Sequence, residues 1–200
     1  MSIFKKIDPK QKNESVPDDS SQDSVDDIDV EYYIKNNLDP VRNVSFKYLA
    51  NRDNVLNYTY EDMNLKLDNE KQVYIAVFDI PLESGIIGHQ TQSLAMLFRL
   101  NTHLYHGSGE VAVDLEKDPK VMEAMQSLLI SSDQVLDKME LVDDFHFYNS
   151  DNIRAYLKTK QGIFFKELEN GIKEDDFLTA MMNNVLLKLA GSDWSKNIRD

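Results

Sequence analysis

The sequence predicts an α+β fold: a single domain of mostly antiparallel sheet packed by about three to four helices, behind a disordered acidic tail. Three observations lead there. The run VYIAVFDI at 73–80 is apolar on both faces, as a central strand requires. Alternating stretches surround it in runs rather than in strict strand–helix order. Two segments, beginning at Pro119 and at Glu174, carry apolar residues at helical spacing.

Residues 13–29, NESVPDDSSQDSVDDID, carry seven acids, no base and almost nothing to bury. Such a segment cannot offset its ordering entropy, so residues 1–28 are expected to be a disordered tail, with the domain at 29–191 and a short second tail at 192–200. Ahead of it, Ile3, Phe4 and Ile7 among Lys5, Lys6, Lys10 and Lys12 suggest a frayed terminus or a short amphipathic anchor.

Asp29 can cap a short helix bearing Val30, Tyr33, Ile34 and Leu38, stopped by Asp39-Pro40. Val44/Phe46/Tyr48, Leu56/Tyr58/Tyr60 and Met63/Leu65/Leu67 alternate as three strands, with a turn at 51–54. The central strand follows, broken by Pro81, Gly85 and Gly88. Thr91 to His106 reads as a helix with the stripe Leu94, Leu97, Phe98, Leu104 and Tyr105, and Gly107 as its left-handed cap. Val111, Val113 and Leu115 alternate as a strand. Asp118-Pro119 then opens a helix through Val121, Met125, Leu128, Leu129, Leu136 and Met139. Phe145/Phe147, Ile153/Ala155/Leu157 and Ile163/Phe165 suggest three further strands, the last two joined by a Lys160-Gln161-Gly162 hairpin loop. The final helix opens on Glu174-Asp175-Asp176, buries Leu178, Met181, Met182, Val185 and Leu189, and ends at Gly191.

Composition excludes whole classes of chemistry. No cysteine is present, so disulfide frameworks, thiol catalysis, Fe–S clusters and Cys-based zinc sites are ruled out, and a cytoplasmic location is expected. The N-terminus lacks the apolar run of a secretory signal, and no stretch approaches the ~20 apolar residues of a membrane span. With 22 basic and 35 acidic residues the net charge is −13, which repels phosphate backbones and suits solubility and a basic protein partner.

The stretch LNTHLYHGSGEVAVDL, 100–115, concentrates the site questions. His103 and His106 at i, i+3 on a helix would share a face, and His89, Glu110 or Asp114 would have to complete a metal site. Nothing in the spacing demands a metal, HExxH is absent, and no cofactor is expected. Gly107-Ser108-Gly109 matches part of a dinucleotide fingerprint, but a strand follows it where a helix is required. Ser108 lacks the spacing of a nucleophile elbow. Asp79, ending the central strand, could form an acid–base cluster with Glu83 and His89, or simply cap the turn into Pro81. The alternation at 145–147 puts His146 on the less buried face of an edge strand. Met122, Met125, Met139, Met181 and Met182 fit a core or an adaptable groove.

The expected function is that of a non-enzymatic, soluble cytosolic protein that binds or regulates another protein, as an inhibitor, immunity factor or adaptor. A small hydrolase, metal-assisted or not, using Asp79, His89, His103 and His106 is the alternative. An acidic nucleic-acid mimic is the third reading.

Overall fold

Every residue from Val73 to Ile80 is buried, and the molecule is organised around that run. The computed structural model describes residues 32–33, 44–84, 88–193 and 198–199. The apolar run lies mostly in β1 (Ile75–Ser84), which pairs antiparallel with β2 (Gly88–Leu97) on one side and β6 (Arg154–Thr159) on the other. The sheet is completed by β3 (Thr102–His106), β4 (Val111–Ala112), β5 (Glu140–Val142), β7 (Gly162–Glu167) and β8 (Ile198–Arg199). These eight strands run β5-β7-β6-β1-β2-β3-β4-β8, each antiparallel to its neighbours.

Among the described residues, three complete α-helices cover the sheet. Helix α1 (Phe46–Asn57) is capped by Ser45, whose Oγ accepts from the Tyr48 amide at 3.1 Å, and buries Tyr48, Leu49, Arg52, Asp53, Val55 and Leu56. Register puts Val77, Asp79, Ser93, Arg154 and Tyr156 on the sheet face beneath it, where Tyr48 and Arg52 reach Ser93 and Asp79. Helix α2 (Pro119–Ser131) begins as the sequence predicts, with Asp118 Oδ1 accepting from the Lys120 amide at 2.8 Å and proline at the first turn. It tightens into a 3-10 helix at Ser132–Lys138. Helix α3 (Lys173–Ala190) places Glu174, Asp175 and Asp176 at its positive end and buries Leu178, Met182, Val185 and Leu189. Both sit on the opposite face, where Thr102 Oγ1 donates to Met125 Sδ and Lys166 pairs with Asp175 at 2.7 Å. The result is one α+β domain of three layers: α1, the sheet, and α2 with α3.

Several local expectations are corrected. The segment read as three strands at 44–67 is helix α1 followed by turns and irregular chain, and residues 51–54 lie inside the helix. Its buried positions recur as 48–50, 52/53 and 55/56, a helical period masked by the polar Arg52 and Asp53. Thr91–His106 is no helix but strands β2 and β3 joined by a turn in which Arg99 adopts φ 59°. Interior strands are buried on both faces, so Leu94 to Leu97 lost the alternation that identifies a strand. Gly107 therefore caps nothing; the positive φ of that turn belongs to Gly109, at 102°. Strand β1 runs through Pro81 to Ser84, and Gly88 opens β2 rather than ending a loop. The strand after Gly109 stops at Ala112, because Asp114 turns at φ 60° into a 3-10 helix at Leu115–Lys117.

Phe145–Phe147 forms no strand. Arg52 Nη1 donates to the Phe145 carbonyl at 2.6 Å and the Tyr33 hydroxyl accepts from the Phe147 amide at 3.0 Å, so side chains replace the ladder. The strands at 154–159 and 163–167, the hairpin with Gly162 at φ 130°, and the last helix lie where expected. Of the helix expected after Asp29, only Tyr32 and Tyr33 are described, both helical. The acidic tail lies outside the described residues.

Candidate functional site

Asp79 stands out in the sequence as a carboxylate at the end of an apolar strand, and the structure gives it a setting that the sequence does not foretell. It is fully buried. Arg52 Nε lies 3.1 and 3.0 Å from its two oxygens, and Arg52 Nη2 lies 3.0 Å from Oδ2. Ser93 Oγ donates to Oδ1 at 2.5 Å, Tyr48 shares a 2.6 Å bond with Ser93, and Arg154 Nη2 stands 3.5 Å from Oδ2. Arg52 Nη1 also pairs with Asp53 at 2.6 Å, whose other oxygen accepts from the Tyr33 hydroxyl at 2.6 Å. The guanidinium groups lie against rings: Arg52 over Tyr156 at 4.7 Å, Arg154 over Phe147 at 4.4 Å.

Two guanidiniums and two carboxylates thus balance in a closed volume. Burial alone would lower the Arg52 pKa, but Asp79, Tyr156 and Asp53 more than offset it and hold the charge. Burial raises the Asp53 pKa, against the opposing pull of Arg52 and Tyr33. Burial beside the carboxylates also pushes the Tyr48 and Tyr33 hydroxyls upward, so both remain protonated donors. A cluster with no face open to a substrate stabilises and orients; it joins α1 to the sheet.

The open site lies beside this cluster. A groove of about 580 Å³ runs between α1 and the β3–β4 side of the sheet. Lys47, Asn51 and Asn54, one stripe of α1, and Tyr58 at its C-cap form a wall, while Val55, Leu97, Val111 and Val113 supply apolar surface. Asp62, Asn101, His103, Tyr105 and Arg199 add polar groups. Tyr58 and Leu100 line it yet remain nearly half exposed, at 48% and 40%.

The other sequence-derived residues do not converge. Only His103 enters the groove, its Nδ1 bonded to the Tyr105 hydroxyl at 2.9 Å. His106, three residues along a strand rather than a helix, points to the opposite face and bonds Gln92 through Nδ1 at 2.8 Å. His89 is exposed near the tip of the β1–β2 pair, 3.3 Å from Glu83. Glu110 is exposed, and its carbonyl accepts from the His106 amide. Asp114 pairs with Lys117 at 2.8 Å and Arg199 at 3.5 Å. Ser108 sits exposed in the turn. Among the described residues, no three His, Asp or Glu side chains are grouped to hold a metal ion. Burial lowers the pKa of His103, against Glu116 and Asp114, and of His106, against Glu110. His146 stacks on Tyr32 with centroids 3.8 Å apart and bonds Asp144. Met125 and Met182 are core residues.

Sequence reading missed Arg52, Arg154 and the polar stripe of α1, because their segments were assigned to a turn and to strand ends. The recurrence of buried positions at 48–50, 52/53 and 55/56 was the available signal. No family model matches the chain, and no curated protein or solved structure is significantly similar to it. No helix among the described residues is long and apolar enough to cross a membrane.

Proposed function

We propose that this is a soluble, cytosolic, non-enzymatic protein that binds or regulates another protein, and that the groove beside α1 receives a segment of that partner. One observation carries the reading: a cleft of about 580 Å³ combines apolar walls with convergent amide, hydroxyl and charged groups and leaves Tyr58 and Leu100 exposed. Clefts of roughly 300–1,000 Å³ with a few placed polar groups are of the usual size for small-ligand sites, and this cleft is large enough for a few side chains of a partner segment. Exposed aromatic and aliphatic side chains at such a cleft are typical anchors for a partner. Asn51, Asn54 and Asn101 suit an extended peptide, since each side-chain amide can both donate to and accept from a main chain.

A photoreactive side chain placed at Leu100 tests the proposal, with Ile130, an exposed residue of α2, as the control position. A discrete adduct formed at Leu100 and not at Ile130, and abolished by Tyr58→Glu, supports it. Identical adducts from both positions, or none from Leu100, refute it.

A further inference from the structure

We propose that Asn170–Gly171 is a self-modification site, a deamidating turn restrained by the carboxylate of Asp176. Asn170 is the one asparagine in the 200-residue sequence followed by glycine. Both residues are exposed, in the turn between β7 and α3. Gly171 adopts φ +86°, a backbone conformation that L side chains rarely take, and a Cβ built there would meet nothing within 4 Å. Residue 171 itself therefore carries no side chain to crowd the peptide nitrogen that follows Asn170.

The chemistry needs only water. The Gly171 amide gives up its proton, and its nitrogen attacks the Asn170 side-chain carbonyl carbon. An N–C bond forms, the carbon–nitrogen bond of the side-chain amide breaks, and ammonia leaves. Water then opens the five-membered succinimide at either carbonyl, yielding aspartate or isoaspartate. No electron is transferred.

The restraint is visible in the same turn. The Gly171 amide donates to Asp176 Oδ1 at 3.1 Å, and the Glu169 amide donates to Asp175 Oδ2 at 3.0 Å. A carboxylate on the attacking amide opposes its deprotonation, since two negative charges would then adjoin. Isoaspartate would lengthen the main chain by one methylene between these two bonds. Aged protein would thus lose the spacing that seats the first turn of α3.

The folded full-length chain is incubated in mildly alkaline buffer, and peptide maps are read for deamidation and for methyl acceptance by isoaspartyl methyltransferase. Label is expected at residue 170 and lost in Asn170→Gln, with Asp176→Ala accumulating it several-fold faster. Asp176→Asn, which keeps an acceptor without the charge, is expected to fall between, and circular dichroism confirms that each variant is folded. Label at other asparagines but not at 170 overturns the site. Slower labelling in folded Asp176→Ala overturns the restraint, because the carboxylate would then be acting as the base.

Discussion

Replacing Asp79 with alanine should be among the most damaging single changes available to this protein. Asp79 accepts from both Arg52 and Ser93 and is the carboxylate facing Arg154 at 3.5 Å. Its removal leaves Arg52 with Asp53 and the Phe145 carbonyl, but takes from buried Arg154 its buried anion and leaves it only the half-buried Glu167 opposite it in β7. Breaking a buried pair by deleting one partner costs about 3–5 kcal/mol, because the surviving charge is uncompensated. At roughly 2–4 °C per kcal/mol for a chain of this size, the thermal midpoint should fall by roughly 6–20 °C. Arg154→Met makes the contrast. Arg154 Nε and Nη1 have no hydrogen-bond partner among the described residues, and Asp79 would keep Arg52 and Ser93. That variant should lose far less. Urea unfolding followed by circular dichroism measures both, with an unchanged m-value showing that the midpoint reports stability. A loss below about 1 kcal/mol in Asp79→Ala, the size of one ordinary hydrogen bond, would refute the closed-cluster argument.

Gly109→Ala should destabilise by about 1–2 kcal/mol, since φ is +102° and the new Cβ would lie 2.9 Å from the Ser45 hydroxyl that caps α1. Gly107→Ala should cost less, as φ there is not positive and the closest atom is 3.1 Å away; equal losses in chemical unfolding would contradict this. Burial lowers the pKa of His103 and His106 from the ordinary 6.5, so the unfolded chain binds more protons below that pH. Stability should be undiminished above about pH 6.5 and decline as the pH falls through the two folded values, and His103→Gln/His106→Gln should flatten the slope of midpoint against pH. Dialysed protein should carry well under one equivalent of zinc, manganese or iron, and a chelator should leave its melting curve unchanged; a stoichiometric metal lost in His103→Ala would reverse that expectation. Deleting residues 1–28 should barely move the thermal midpoint, because that stretch carries few apolar side chains to bury; a large drop would show that the tail docks on the body.

What could be read in advance, and what could not, divides along burial pattern. The strand at 73–80 was legible because an eight-residue run apolar on both faces suits an interior strand and is short for a helix. Helix α2 was legible from Asp118-Pro119, and the β6–β7 hairpin from Gly162, since local chemistry alone determines those features. Strands β2 and β3 were misread because Leu94, Leu97, Phe98, Leu104 and Tyr105 fit a helical stripe as well as a doubly buried hairpin. Helix α1 was misread because its buried stripe contains Arg52 and Asp53, which hydropathy counts as surface. The candidate site suffered accordingly. Asp79 was conspicuous, but its partners come from α1 and β6, and only tertiary pairing brings residues 52, 79 and 154 together. The helical spacing assumed for His103 and His106 made them neighbours, whereas a strand sends them to opposite faces.

The register of β1 against β6 has a consequence for the order of assembly. Asp79 and Arg154 face each other across that pairing although they stand about 75 positions apart in the chain. Strands β1 to β4 can zip by successive short connections, and β6 with β7 as a hairpin to which β5 adds at the β7 edge, but joining the two sets closes a long loop. Closure on that scale costs roughly 4 kcal/mol of chain entropy before any contact compensates it. The Asp79–Arg154 contact of the ionic cluster crosses this seam, so those two charges meet only when the two halves do. Before that moment Asp79 and Arg154 remain hydrated, and each half exposes a bare strand edge of the kind that pairs with the wrong neighbour. The seam is therefore where slow folding and misassembly of this protein should concentrate.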